Sequence, residues 1–325
     1  MRYLVALLAL LSVACSTVGL GAHAENGGPD EVVEEDPLNI AAGPDAESVL
    51  LAHVMAVLLG RADLPAAVVT FTETTDARQA VSLGQVDMRI AYTGEAWLEA
   101  LGRPNPPGDP RASYEAVREH HASEGITWLR PRFAEGVDQP PANATFAFVM
   151  QGPPSVDADV RTMSQLAARL SELPEAAVCV DHEFGTRPDG LRAVLEAYSI
   201  RAERTFLGTN PEEAVLGVAA GDCIAGLTTA TDGRAWQLGQ RPLVDDLRVF
   251  PAFVPVPQVR DDALAEHPEI PTALRPLTAQ LTTALLGRWN ARVVAGEPVE
   301  EVAADAARVL SERAGRIVVE LDDGP

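Results

Sequence analysis

The chain has 325 residues, 47% of them apolar, and a formal net charge of −22 from 47 acidic and 25 basic residues. That length suffices for one large or two medium cores, and the near-zero mean hydropathy excludes a wholly disordered chain and a bundle of membrane spans. Every basic residue is arginine, and no basic cluster interrupts the acidic surface, which would repel phosphate backbones and excludes nucleic acid as a partner.

Tyr3 to Val13 is the one continuously apolar segment, and at about eleven residues it is too short to cross a bilayer core of about 30 Å. It follows Arg2 and precedes small residues, the layout of a secretory signal. Two processing sites compete. Ala22-His23-Ala24 is an A-x-A site that makes 1–24 a signal peptide; Ser12-Val13-Ala14-Cys15 resembles a lipobox that would put a lipid on Cys15. Ser12 stands where Leu is usual in a lipobox, which favours the first. Either route delivers the protein to a periplasmic or extracytoplasmic compartment, with a lipid on Cys15 as the membrane attachment available. Residues 25–37 are acidic and rich in Gly and Pro, and read as a disordered linker.

A strand–helix alternation then begins. Leu38 to Ala42 is a short apolar strand, and the following helix sets Val49, Leu50, Val54, Val57 and Leu58 on one face. Ala67 to Thr72 is a β-branched strand, Asp76 to Leu83 a short helix, and Val86 to Tyr92 a buried strand. Pro104 to Pro110 is a loop and Arg111 to Ser123 an amphipathic helix carrying Tyr114 and the adjacent His120 and His121, read as a solvated pair. A second alternating region opens at Thr145. It runs helix 161–172, strand 176–181, helix 189–198, strand 204–208, helix 211–220 and strand 222–229. From Arg260 onward the pattern is helical, with Val302, Ala306, Val309 and Leu310 as an apolar stripe.

Strands separated by helices of 10–15 residues predict mostly parallel sheets covered on both faces. The expected fold class is α/β, with two doubly wound lobes and a ligand cleft at the strand ends between them. The predicted divisions are 38–144 for the first part of lobe 1, 145–254 for lobe 2, and 255–325 for C-terminal helices that pack back on lobe 1. Beyond Cys15, the cysteines are Cys179 and Cys223, both in predicted strands of a disulfide-permitting compartment; a bridge and two buried thiols both remain open.

Five short segments lie in order along this frame: AYTGEAW (91–97), NATFAF (143–148), EFGTRPDG (183–190), TATDGRA (229–235) and VFPAFVP (249–255). Together they resemble the substrate-binding proteins of ABC transporters for glycine betaine, choline and related osmoprotectants, over about Leu38 to Ala314. The resemblance implies a type II periplasmic-binding-protein fold and a receptor rather than an enzyme. It implies hinges near Ala142 to Ala147 and Phe250 to Val256, a small cationic solute and ABC permease subunits as partners, a monomer, and no cofactor or metal. A quaternary ammonium has no N–H to donate, so such proteins hold it against the negative faces of aromatic rings, each worth about 0.5–2 kcal/mol.

The resemblance implies roles for single residues. Tyr92 falls on a cage tyrosine, and Phe146 and Phe253 stand where Tyr is usual. Thr229 occupies a further Tyr position, so one wall is absent unless Trp97 or Trp236 replaces it. Arg187 falls on a carboxylate clamp. Glu95 replaces a hydroxyl residue, and Gly43 stands where Lys is frequent. These departures predict a choline-like or other amine ligand, with Glu95 as counter-charge. Without the resemblance, the two phenylalanines read as core, and Arg187 with Asp189 as a turn and helix cap. The rival of another class is an enzyme using Asp181 or His182. Against it, no P-loop, nucleophile elbow or HExxH motif is present.

Overall fold

The computed structural model describes residues 36–133, 140–155, 157, 159–187, 190–200, 204–208 and 210–322. The signal peptide, Cys15, most of the linker and Asp189 lie outside them.

The first half contributes β1 (Leu38–Ala42), α1 (Ala46–Gly60), β2 (Ala66–Thr70), α2 (Thr74–Ser82), β3 (Met88–Tyr92), α3 (Thr93–Glu99), α4 (Pro110–Ala122) and β4 (Ile126–Trp128). The chain then crosses to β5 (Phe146–Gln151), α5 (Met163–Glu172), β6 (Ala177–Asp181), α6 (His182–Thr186) and α7 (Leu191–Ala197). β7 (Arg204–Gly208), α8 (Pro211–Ala220), β8 (Ala225–Thr229), α9 (Gly233–Gln237) and β9 (Gln240–Pro242) follow. It returns through β10 (Pro255–Arg260) into α10 (Asp261–Glu266), α11 (Ile270–Ala273), α12 (Arg275–Gln280), α13 (Thr283–Val294) and α14 (Val299–Asp322).

Two sheets result, in the orders β2-β1-β3-β10-β4 and β7-β6-β8-β5-β9. In each, four strands run one way, and the reversed strand, second from the edge, is the one by which the chain arrives from the other sheet. The layout is therefore the same in both lobes. β10 is not among the predicted elements, and its Pro255 and Pro257 each lack the N–H group that a ladder uses. The Pro257 carbonyl accepts from Leu129 N at 2.9 Å, on the side facing β4. Residues of one parity point to one side of an antiparallel strand. Both missing N–H groups therefore fall at or beyond the end of three-residue β4, and the ladder to β3 loses no donor.

α1 begins at Asp45, whose side chain accepts from Ser48 N at 2.7 Å, a standard N-cap bond. Its Leu50, Leu51, Val54, Met55, Leu58 and Leu59 are buried, a wider apolar surface than the predicted stripe, because α14 covers the side turned from the sheet. The predicted Val302–Leu310 stripe lies in that same core, except that Val309 sits at its margin. α13 departs from simple return packing. Leu285, Leu286 and Trp289 enter the first-lobe core, while Gly287 meets Trp236 of α9 so closely that a Cβ there would lie 2.1 Å from Trp236 Nε1. One helix thus touches both lobes.

Cys179 and Cys223 form a disulfide with Cα atoms 5.8 Å apart, buried with Ala177, Ala214 and Val218. His121 is buried, with Nδ1 2.9 Å from the Val117 carbonyl and its ring 5.4 Å from that of Trp128. That corrects the reading of a solvated histidine pair; the helix turns His121 inward and leaves His120 half exposed beside Glu124. Among the described residues no helix is long and apolar enough to cross a membrane.

Candidate functional site

Because both sheets aim strand ends at the crossovers, the residues just after β1, β3 and β8 and just before β5 converge on one crevice. A cavity of about 450 Å³ occupies it. Tyr92 ends β3, Thr229 ends β8 opposite Phe146 of β5 in the ladder, and Phe253 comes from the return crossover. Tyr92, Glu95, Phe146, Thr229 and Phe253, five of the six predicted site residues, line this cavity, as does Gly43.

The crossovers are tied to each other and to the first lobe. Asn143 Oδ1 accepts from Phe253 N at 2.7 Å, and Ala144 N donates to the Phe253 carbonyl at 2.9 Å. Thr93, fully buried, donates through Oγ1 to the Ala252 carbonyl and accepts from Val254 N, both at 3.1 Å. Gly94 follows because nothing larger fits: a Cβ would stand 2.5 Å from Phe253 Cε2. The Tyr-Thr-Gly run therefore supplies one wall, fastens the crossover, and makes room for the second wall.

Tyr92 donates its hydroxyl to Glu47 Oε1 at 2.7 Å, and Asn290 Nδ2 of α13 donates to Glu47 Oε2 at 2.6 Å and to the Thr231 carbonyl at 2.9 Å. Glu47 lies in the first turn of α1 and lines the cavity. Burial raises its pKa above the ordinary 4.5, opposed by hydrogen bonds from Thr231, Tyr92 and Asn290. The Tyr92 hydroxyl is pushed well above its ordinary range by burial and then by the charge of Glu47. Sequence reading missed Glu47: a Glu in a helix's first turn is explained by the helix dipole alone.

Glu95 is engaged already. Its Oε1 lies 3.3 Å from Arg89 Nη1, and Arg89 Nε donates to Gln258 Oε1 at 2.8 Å. Arg89 is 2% exposed, and burial lowers its pKa against the favourable charge of Glu95. Burial likewise raises Glu95, with Arg89 opposing. Arg89 also lines the cavity, and its Nη2 is buried with no hydrogen-bond partner among the described residues. Its position inside a predicted strand had marked it only as part of a buried run.

Arg187 is not among the cavity-lining residues. Its guanidinium carbon lies 5.2 Å from the Phe184 ring centroid and its Nη1 3.9 Å from Glu183 Oε1. Phe184 in turn packs on Phe146 and Phe250, with centroids 5.6 and 6.2 Å away. Trp97 and Trp236 do not line the cavity either; Trp97 donates to the Pro104 carbonyl, and Trp236 to that of Ala230 in the α9–α13 contact. Asp181 caps α6 through Phe184 N at 2.9 Å, and His182 is exposed.

A family model described as the substrate-binding domain of ABC-type glycine betaine transport systems matches residues 36–308. A glycine-betaine-binding protein of Pseudomonas aeruginosa is 29% identical over 286 residues, covering 85% of this chain and 89% of its own. The glycine betaine-binding protein YehZ of Escherichia coli is 26% identical over 289 residues, covering 83% and 89%. The apo YehZ structure aligns with TM-score 0.76 at 24% identity, over 84% of this chain and 98% of that one. The crystal structure of a glycine betaine/carnitine/choline ABC transporter aligns with TM-score 0.72 at 20% identity, over 82% and 96%. The fold is thus that of the two-lobed type II periplasmic-binding proteins.

Proposed function

Since the chain belongs to the family of substrate-binding domains of ABC-type glycine betaine transport systems, we propose that it is the extracytoplasmic receptor of such a transporter. It closes on a quaternary ammonium solute and delivers it to the permease. The observation that carries this reading is the grouping of Tyr92, Phe146 and Phe253 with Glu47 around one cavity at the strand ends. Three ring faces at about 0.5–2 kcal/mol each fall short of the roughly 8 kcal/mol of micromolar binding, so the rings need the attraction of a buried counter-charge, strengthened once water leaves. Glu47 serves as the counter-charge, since Glu95 has Arg89 beside it.

The protein acts as a monomeric receptor and performs no chemistry. Asp181 and His182, either of which the enzyme reading would use, are a helix cap and a surface residue. Closure is a rotation of 145–254 against 38–144 and 255–325 about the crossovers, where a few residues absorb the motion. Arg187 supports the Phe146 wall through Phe184 in this conformation. Export by the 1–24 signal puts the receptor where the family works, with Cys15 as the alternative anchor.

A thermal-shift and calorimetric screen of glycine betaine, choline, carnitine and tetramethylammonium tests the reading. A solute at one hundred times its dissociation constant adds about 2.7 kcal/mol of stability. Binding of at least one is expected, and a flat response to all would overturn it.

A further inference from the structure

Asn290 stands where the solute cavity and the seam between the lobes meet. It is buried inside α13, an interior position for one of the weaker helix formers. The backbone around it is fixed by α9 of the second lobe. A Cβ on Gly233 would stand 2.6 Å from the Asn290 carbonyl, and one turn earlier Gly287 admits the Trp236 indole. Its Nδ2 donates twice, to the Thr231 carbonyl at 2.9 Å and to Glu47 Oε2 at 2.6 Å. A carbonyl can only accept, so Thr231 by itself fixes which way the amide turns, and Glu47 meets the same nitrogen. The amide's Oδ1 is left buried with no hydrogen-bond partner among the described residues. A buried acceptor without a donor is destabilising, and an apolar side chain would fill the seam without that cost. What the amide contributes here is its pair of donors.

We propose that Asn290 is a positioning residue of the solute site: anchored on the second lobe by the Thr231 carbonyl, it orients the Glu47 carboxylate and keeps it ionised. The assignment rests on the reading of Glu47 as counter-charge to a cationic solute, and adds how that charge is maintained. Burial opposes the charge of Glu47. Tyr92 donates to one of its oxygens and Asn290 to the other, and the Thr231 side chain adds a further bond. An ionised carboxylate only accepts, so donors on both oxygens favour the anion and set its plane. The charged groups around it do not help. Asp45 at the start of α1 raises its pKa further, and Arg89, in the same lining, is paired with Glu95. Neutral donors therefore hold the anion, and two of them, Asn290 and Thr231, depend on where the second lobe sits. The placement of that lobe governs how well the cavity keeps its negative charge.

The test is calorimetry across pH with glycine betaine, choline and tetramethylammonium, whose ammonium charge does not titrate. The samples are wild type, Asn290→Leu, Glu47→Gln and the double variant. Melting curves establish that each folds, with Asn290→Ala taking the place of Asn290→Leu if the larger side chain disturbs the seam. For every solute that wild type binds, Asn290→Leu should move the rise in affinity to higher pH. Below the wild-type midpoint the loss should be at least about tenfold, the scale of one charge-assisted hydrogen bond. Above the displaced midpoint affinity should return to within about threefold of wild type. In the Glu47→Gln background the same substitution should change affinity by less than about threefold at every pH, because the group it acts through is gone. An unmoved midpoint, whether affinity falls equally at all pH or not at all, would make Asn290 a packing residue and overturn the assignment while leaving the receptor reading in place. An equal loss with and without the Glu47 carboxylate would overturn it in the same way, as would a wild-type affinity flat across pH. Silence of wild type toward all three solutes would overturn both together.

Discussion

Gly94 and Glu47 carry the two sharpest consequences at the scale of single residues. Gly94→Ala places a methyl 2.5 Å from the Phe253 ring, and the ring, being a cavity wall, must move. Overpacking of this kind costs about 1–3 kcal/mol of stability, and solute affinity should fall at least about tenfold as one wall is misplaced; calorimetry and a melting curve on the same sample separate the two effects. For Glu47 the sign follows from its raised pKa. The folded protein holds this proton to higher pH than the unfolded chain does. Its contribution to stability is therefore most favourable below the ordinary 4.5 and is lost as pH rises through the folded value. Cation binding runs the other way. It favours the carboxylate, so affinity should rise with pH across the same window and level off above it. Glu95, also raised by burial, titrates in the same direction. Titration calorimetry across pH should show this rise in wild type and a diminished one in Glu47→Gln.

At the scale of elements, the disulfide and α13 determine what holds the second lobe. The Cys179–Cys223 bridge joins β6 to the segment leading into β8, closing a loop of sequence separation 44. Chain-entropy arguments value such a loop at about 4 kcal/mol. Melting of the oxidised and reduced protein should differ accordingly, with the reduced form the less stable. α13 makes a second tie. Its Gly287 admits the Trp236 indole, and its Asn290 bonds both Glu47 and the Thr231 carbonyl. Through one amide, the Glu47 carboxylate that holds the Tyr92 hydroxyl is linked to the second lobe. Most elements were legible from period alone, and strand 204–208 and helix 211–220 match residue for residue. β10 was not, since its prolines are tolerated only because of which side of the strand their nitrogens face. That is a property of the sheet rather than of the segment.

At the scale of the molecule, two lobes joined by paired crossovers predict closure. Addition of a bound solute should reduce the radius of gyration measured by small-angle scattering and raise the melting temperature together. A melting shift with no compaction would mean that the solute binds without the lobes moving. The net charge of −22 opposes any compact state by self-repulsion, so moderate salt should stabilise the protein by screening, independently of solute.

Sequence alone determined the alternating α/β pattern and the two-lobed division, because period and turn chemistry are written locally, while the five residues that line the cavity were reached through the resemblance of their segments to a family and not through any local pattern. Only the tertiary structure decided how the charges pair. Glu47 and Arg89 come from a helix start and a strand middle, and each becomes part of the site through partners far along the chain: Asn290 for the one, Gln258 for the other. Arg187, which the motif pointed to, instead stacks on Phe184, because the local chain folds its guanidinium over that ring. Pairing of charge depends on distance in space, and no local pattern encodes that.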